Sequence, residues 1–326
     1  MKAQKIFNAE IFKERLSRRT FMKTLMSGAM ALPLLGVLPK GLWALEKKFN
    51  GRVAKKIKGD YDLAIVKGAD PFNMTVKAVE LMGGMERFVK KGDVVVIKPN
   101  MGWDRSPAQA GNTNPEVMAA LTELAFKAGA KKVNIFDVTC NDPQRCYDNS
   151  GIMKAAKDKG ADVYFPEDWN TVKAHFGYSS PMEGWPILKD AIDCDVFINV
   201  PVVKHHVLTR LTLSMKNLMG VCGGNRGAMH FNIGKKIVDL TDFVSPDLTI
   251  MDAYRVLVRN GPTGGNLSDV EMRNQVIAAT DPVLADSYAS LIMDVDPLSV
   301  PYIRSAADNN FGSTDVAGAR KVEVKV

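Results

Sequence analysis

The stretch DVVVIKPN, Asp93 to Asn100, decides the fold class. Its apolar core has no alternation of apolar and polar positions. A short β-branched run of this kind reads as a strand buried on both faces, as in parallel sheets. The run then stops at Lys98, Pro99 and Asn100. Pro99 fixes the backbone and biases Lys98 toward extended geometry. A lysine and an amide are thus delivered to the carboxyl end of a buried strand, where ligands of open α/β sheets sit.

Working outward, strand and helix signals alternate. DLAIVKG (Asp62 to Gly68) reads as a strand, and NMTVKAVELMGGMERFV (Asn73 to Val89) as an amphipathic helix weakened by Gly83-Gly84. NPEVMAALTELAFKAGA has Asn114 as N-cap, Pro115 at the first helical position and Gly129 as the stop. KVNIFDV is a strand, GIMKAAKDKG a short helix, and ADVYF a short strand. Residues 166–189 are irregular. CDVFINVPVV, DLTIMDA, NQVIAATD and KVEVKV read as further strands, and PVLADSYASLIM as a helix. The expectation is an α/β fold: a mostly parallel sheet flanked by helices, with a strand-end ligand crevice. Polar residues cluster at strand ends: Lys98 and Asn100, Asp137 and Thr139, Lys204 with His205 and His206, Asp252, and Asp281.

The beginning of the chain has another character. SRRTFMK (Ser17 to Lys23) precedes a short apolar run to Leu38 and a small-residue site at Ala44. Arg18-Arg19 with Phe21 and Lys23 resembles the twin-arginine export signal. The expected organisation is a signal peptide over 1–44 and a single α/β domain over 45–326. The expected location is periplasmic or extracytoplasmic, with the twin-arginine translocation machinery as a partner. Removing 1–44 leaves 35 basic against 34 acidic residues, so the net charge of +7 belongs mainly to that signal. No nucleic-acid partner is expected. Substrates of this route commonly cross the membrane folded, often with a cofactor inserted.

The four cysteines, Cys140, Cys146, Cys194 and Cys222, contain no C-x-x-C, so no iron–sulfur cluster motif is encoded. Cys140 and Cys146 share a turn-rich loop, and either a disulfide or two free thiols suits it. Three of the four histidines lie between Asn199 and His230. Adjacent His205 and His206 point opposite ways on a strand and converge only in a loop. With Cys222 and His230 they form a candidate metal set, although the spacing matches no standard zinc template. LTRLTLSMKNLMG fits both strand and helix spacing. As a helix, the favoured reading, it places Thr209, Thr212 and Lys216 on one face and uses Gly220 as a C-cap. The loop GVCGGNRGAMH offers Gly223, Gly224 and Arg226 as an anion cradle. It lacks the G-K-[ST] ending of a phosphate loop. NGPTGGN (Asn260 to Asn266) is a second glycine loop, read as a turn or a lid.

VVIKPNM, NVPVVKHH, LTLSMKNLMG and TDPVLADSYAS, in this order, resemble the blocks of the domain of unknown function 362 family, over roughly Asp62 to Met293. Many members carry an appended ferredoxin segment, and this chain lacks those cysteines. A weaker likeness is to the nickel-pincer lactate racemase superfamily. It implies that His205 or His206 and Lys216 lie near a cofactor. The expected function is cofactor- or metal-dependent catalysis on a small anionic substrate, with a transition metal as candidate cofactor. Lys98, Asn100, Lys204, His205, His206, Lys216 and Asn217 are the expected catalytic residues, and Asp137, Asp252 or Asp281 would orient them. The alternative is a periplasmic ligand-binding protein, or an accessory protein serving a redox partner.

Overall fold

The computed structural model describes residues 51–326, apart from positions 56 and 58. The export signal expected over 1–44 lies outside the described residues.

The Asp93–Asn100 stretch forms β2 (Val94–Pro99) of a mixed, mostly parallel sheet, so the fold class is as expected. With β1 (Leu63–Lys67), β3 (Lys132–Ile135), β4 (Asp162–Val163), β7 (Val196–Val200), β10 (Leu248–Leu257), β11 (Val270–Ala279) and β12 (Lys321–Lys325), the order is β12-β1-β11-β10-β7-β2-β3-β4. β10, β7, β2, β3 and β4 pair in parallel, and β11 runs antiparallel to both of its neighbours. Residues 171–188 carry a separate two-stranded ribbon, β5 (Thr171–Lys173) with β6 (Pro186–Leu188).

Alternate residues of the central strands feed two cores. Val95, Ile97 and Ile198 pack beneath α1 (Pro71–Leu81) and α2 (Pro115–Lys127). Val96 and Phe197 pack beneath α7 (Ile233–Val244), α8 (Pro282–Leu291), α9 (Pro301–Asp308) and the ribbon. The remaining helices are α3 (Pro143–Asn149), α4 (Ile152–Lys157), α5 (Asp190–Asp193) and α6 (Ser214–Asn217). α2 follows its caps: the Asn114 side chain accepts from Glu116 N–H, Pro115 starts the helix, and Gly129 takes φ +100°.

Two helical expectations are corrected. The helix expected to run to Val89 ends at Leu81, because Gly83 and Gly84 both adopt positive φ before a short turn. The segment from Thr209 to Gly220 is divided between both spacings it displayed. Arg210–Thr212 is strand β9, Ser214–Asn217 is one turn of helix, and Leu218–Val221 is a 3₁₀ turn. Thr209, Thr212 and Lys216 therefore do not share a helix face. The Asp286 carboxylate accepts from Ser214 N–H (2.6 Å) and Met215 N–H (3.0 Å), fixing the change of direction.

Candidate functional site

The carboxyl ends of β2, β3 and β8 (Val202–His206) converge on one buried polar centre. Lys98, 1% exposed, is delivered by β2 onto the face covered by residues 218–222. Its ammonium lies 2.7 Å from Asp137 Oδ1, in a buried ion pair. It donates to Pro99 O (2.5 Å) and Asn217 Oδ1 (3.3 Å). Asp137 Oδ2 accepts from Met101 N–H at 2.6 Å. Burial pushes the Lys98 pKa down and Asp137 opposes that shift. The 3₁₀ turn seals the pair. A Cβ on Gly220 would collide with Asp137 Oδ1 and Lys98 Nζ, so any larger residue must displace the ion pair.

Asn217 joins the strand ends. Its Oδ1 also accepts from Asn100 Nδ2 (3.1 Å), and its amide nitrogen donates to Asn199 Oδ1 (2.9 Å). Asn199 in turn donates to Ser214 O at 2.9 Å, which ties α6 to β7. Asn100 Oδ1 accepts from Lys204 Nζ (3.1 Å), which also donates to Gly111 O (2.6 Å) and stands 5.7 Å from the Trp103 ring centroid.

Lys204 and His206 share a face of β8, and His205 faces away. Burial, then repulsion from Lys216, brings the Lys204 pKa down to about 7. Lys216 is 8% exposed and has neither a hydrogen-bond acceptor nor a carboxylate partner among the described residues. Burial brings its pKa down to about 8. Two largely buried lysines therefore face one polar centre whose carboxylate, Asp137, is already held by Lys98.

The histidines divide by tautomer. His206 Nδ1 accepts from Leu208 N–H (3.1 Å) and Thr209 N–H (3.3 Å), so its other nitrogen carries the proton. Burial, then Lys216, pushes its pKa down to about 3, so it is a neutral donor. His205 Nδ1 likewise accepts from Gly261 N–H at 3.2 Å. His230 stacks on His206 with centroids 5.7 Å apart and reaches Gly227 O through Nδ1 at 3.2 Å. That bond requires Nδ1–H and leaves the His230 Nε2 lone pair free.

The expected metal set of His205, His206, Cys222 and His230 is not assembled. His205 is on the opposite strand face. The remaining nitrogen of both His205 and His206 is a donor, and Cys222 is buried in the core with its thiol pushed up to about 12. No group of three or more His, Cys, Asp or Glu side chains is placed to hold a metal ion among the described residues. The side chains present do not fit a metal centre built from that set.

The glycine cradle is corrected as well. The Gly223 amide is committed to Pro186 O (3.0 Å), and its carbonyl to Trp185 Nε1 (3.1 Å). Gly224 turns the chain at φ +68°. Arg226 does reach the site, donating to Val138 O at 2.8 Å and to Thr139 O. Asp252 accepts from Asn114 N–H (2.8 Å) and Tyr254 N–H (3.0 Å), which anchors the 100–114 loop. Asp281 does not join the centre. It follows the antiparallel strand β11, whose carboxyl end lies at the opposite edge of the sheet, and it caps α8. Cys140 and Cys146 are free thiols, the first exposed and the second buried.

Two participants escaped sequence reasoning: Gly220 and Asp286. Gly220 read as a helix cap and Asp286 as one polar residue in a helix. Only the three-dimensional approach reveals their roles.

The chain is 29% identical over 251 residues to a thylakoid-associated protein of Synechocystis sp., covering 73% of this chain and 74% of that protein. The lactate racemase apoprotein of Thermoanaerobacterium thermosaccharolyticum superposes with a TM-score of 0.43 at 12% identity. That match covers 79% of this chain and 59% of the racemase, so the chain spans about three fifths of it. The model of the domain of unknown function (DUF362) matches residues 95–290, which contain Lys98, Asp137, Lys204, Lys216 and Gly220. The chain belongs to that family.

Proposed function

We propose that the converging strand ends bind a small carboxylate- or phosphate-bearing molecule and transfer a proton to or from it. The observation that carries this reading is the burial of Lys204 and Lys216 with no carboxylate of their own. Burying an ammonium is unfavourable unless it is paired. An anion placed between them supplies the missing charge. Lys98 and Asp137 neutralise each other, and Asn100 and Asn217 hold the centre in register. A lysine titrating near neutrality takes up or gives a proton at little cost. His206 supplies a fixed neutral donor, and His230 Nε2 is the free acceptor beside it. No metal step is needed in this scheme.

The paired arginines Arg18-Arg19 support export as the setting in which this site works. Changing both to lysine and finding the protein retained in the cytoplasm would support that setting. Unimpaired export would remove it.

The test of the site is thermal unfolding with a panel of small mono- and dicarboxylates and phosphate. A ligand specific to the native state raises the midpoint as its concentration rises. The expected result is stabilisation that disappears in Lys204→Met and Lys216→Met. No response to any anion, or an unchanged response in both variants, rejects the reading. Solvent deuterium entering the α-carbon of a stabilising carboxylate would distinguish proton transfer from simple binding.

A further inference from the structure

Cys140 is the exposed thiol, and it stands at the edge of the lysine centre. Its backbone N–H donates to Gly102 O (2.8 Å), one residue beyond Met101, whose own N–H holds Asp137. Its sulfur lies 3.9 Å from Arg226 Nη2, and that guanidinium is itself fixed on Val138 O and Thr139 O. Lys216 and Lys204 are both within electrostatic reach of the sulfur. Lys216, buried and unpartnered, is the second and independent sign that something anionic belongs here. The other thiols are buried, Cys222 even though Arg226 and Lys98 lie within its electrostatic reach. Burial pushes Cys146 up to about 11, and Cys194 and Cys222 up to about 12.

We propose that Cys140 is a nucleophilic site for carboxylate-bearing electrophiles, whose carboxylate is held by Lys204, Lys216 and Arg226 while the thiolate attacks. This rests on the anion-binding reading above and extends it to covalent chemistry. In the step, the Cys140 thiol first gives its proton to solvent. The thiolate electron pair then forms a carbon–sulfur bond as the leaving group departs with the pair from the broken bond. No oxidant or reductant is required. The positive surroundings draw in an anionic reagent, which a thiolate alone repels.

Iodoacetate and iodoacetamide separate the two effects. Both alkylate sulfur by displacing iodide, and only iodoacetate carries a charge. The native protein is treated with each, the rate at Cys140 is read by peptide mass, and the iodoacetate-to-iodoacetamide ratio is compared with that of the same cysteine in denaturant. The ratio is expected to be about tenfold higher in the native protein, a modest attraction for two or three nearby cations. It is expected to fall toward the denatured value in Lys216→Met and in Arg226→Gln. Equal ratios in native and denatured protein, or a ratio unmoved in both variants, overturn the proposal. Cys140→Ser separates the two claims. If that variant keeps its stabilisation by carboxylates while native Cys140 shows no preference for iodoacetate, only the covalent role is lost. If neither protein responds to anions, the binding reading fails first.

Discussion

Lys216→Met is the most informative perturbation of the centre. Methionine keeps a similar length and removes the charge. Burial lowers the Lys216 pKa from its ordinary 10.5 to about 8. At about 1.4 kcal/mol per pH unit, that shift corresponds to ~3 kcal/mol of native-state destabilisation near neutral pH. Removing the ammonium should therefore stabilise the unliganded protein by roughly 1–3 kcal/mol, the lower end allowing for imperfect packing of the thioether. Chemical denaturation at about pH 7 measures this directly. The same variant should lose the stabilisation that anions give. A residue kept at a stability disadvantage for its function behaves in this way. If Lys216→Met is instead destabilised by a kilocalorie or more and keeps its anion response, Lys216 is a structural residue and the argument is wrong.

Four further outcomes follow from the same geometry. Because the native lysines titrate below the unfolded ones, the unfolded chain holds more protons between about pH 7 and 10.5. Native stability therefore gains from rising pH in that window, and the advantage of Lys216→Met should shrink as pH approaches 10, as measured by denaturant midpoints. Asp137→Asn strands Lys98 as an unpaired buried ammonium and should cost about 3–5 kcal/mol in the same assay. Gly220→Ala drives a methyl group into Asp137 and Lys98 and should lower the melting temperature by several degrees or abolish folding. Asp286→Ala leaves the Ser214 and Met215 amides unpaired and should weaken both stability and anion response, seen by melting with and without ligand.

Much of this was legible in the sequence. The β-branched run before Lys98 marked a buried parallel strand, and Asn114-Pro115 marked a helix start to the residue. Lys98, Asn100 and Lys204 were expected near one another because each sits at a strand end, with Lys216 and Asn217 in the segment that follows, and the structure brings them together. The failures have particular causes. Asp281 was grouped with the others because strand direction cannot be read from an isolated apolar run, and β11 runs the opposite way. His205 and His206 could serve one metal only in a loop, and the segment stays extended and divides them between two faces. Gly223 looked like a cradle because its amide's partner, Pro186 O, lies 37 residues away along the chain on the ribbon. The switch from β9 to α6 depends on the distant carboxylate of Asp286, which local spacing does not register.

Proton uptake on binding tests the central claim most directly. At about pH 8, Lys204 is largely neutral and Lys216 is half protonated in the free protein. An anion between them favours the charged forms, so its binding must draw protons from solution. Isothermal titration of a stabilising carboxylate in two buffers of different ionisation enthalpy measures that number. The account predicts net uptake of a substantial fraction of a proton or more at about pH 8, smaller at about pH 6, and reduced in Lys216→Met. Binding with no proton uptake at either pH would show that these lysines do not meet the anion, and would contradict the account.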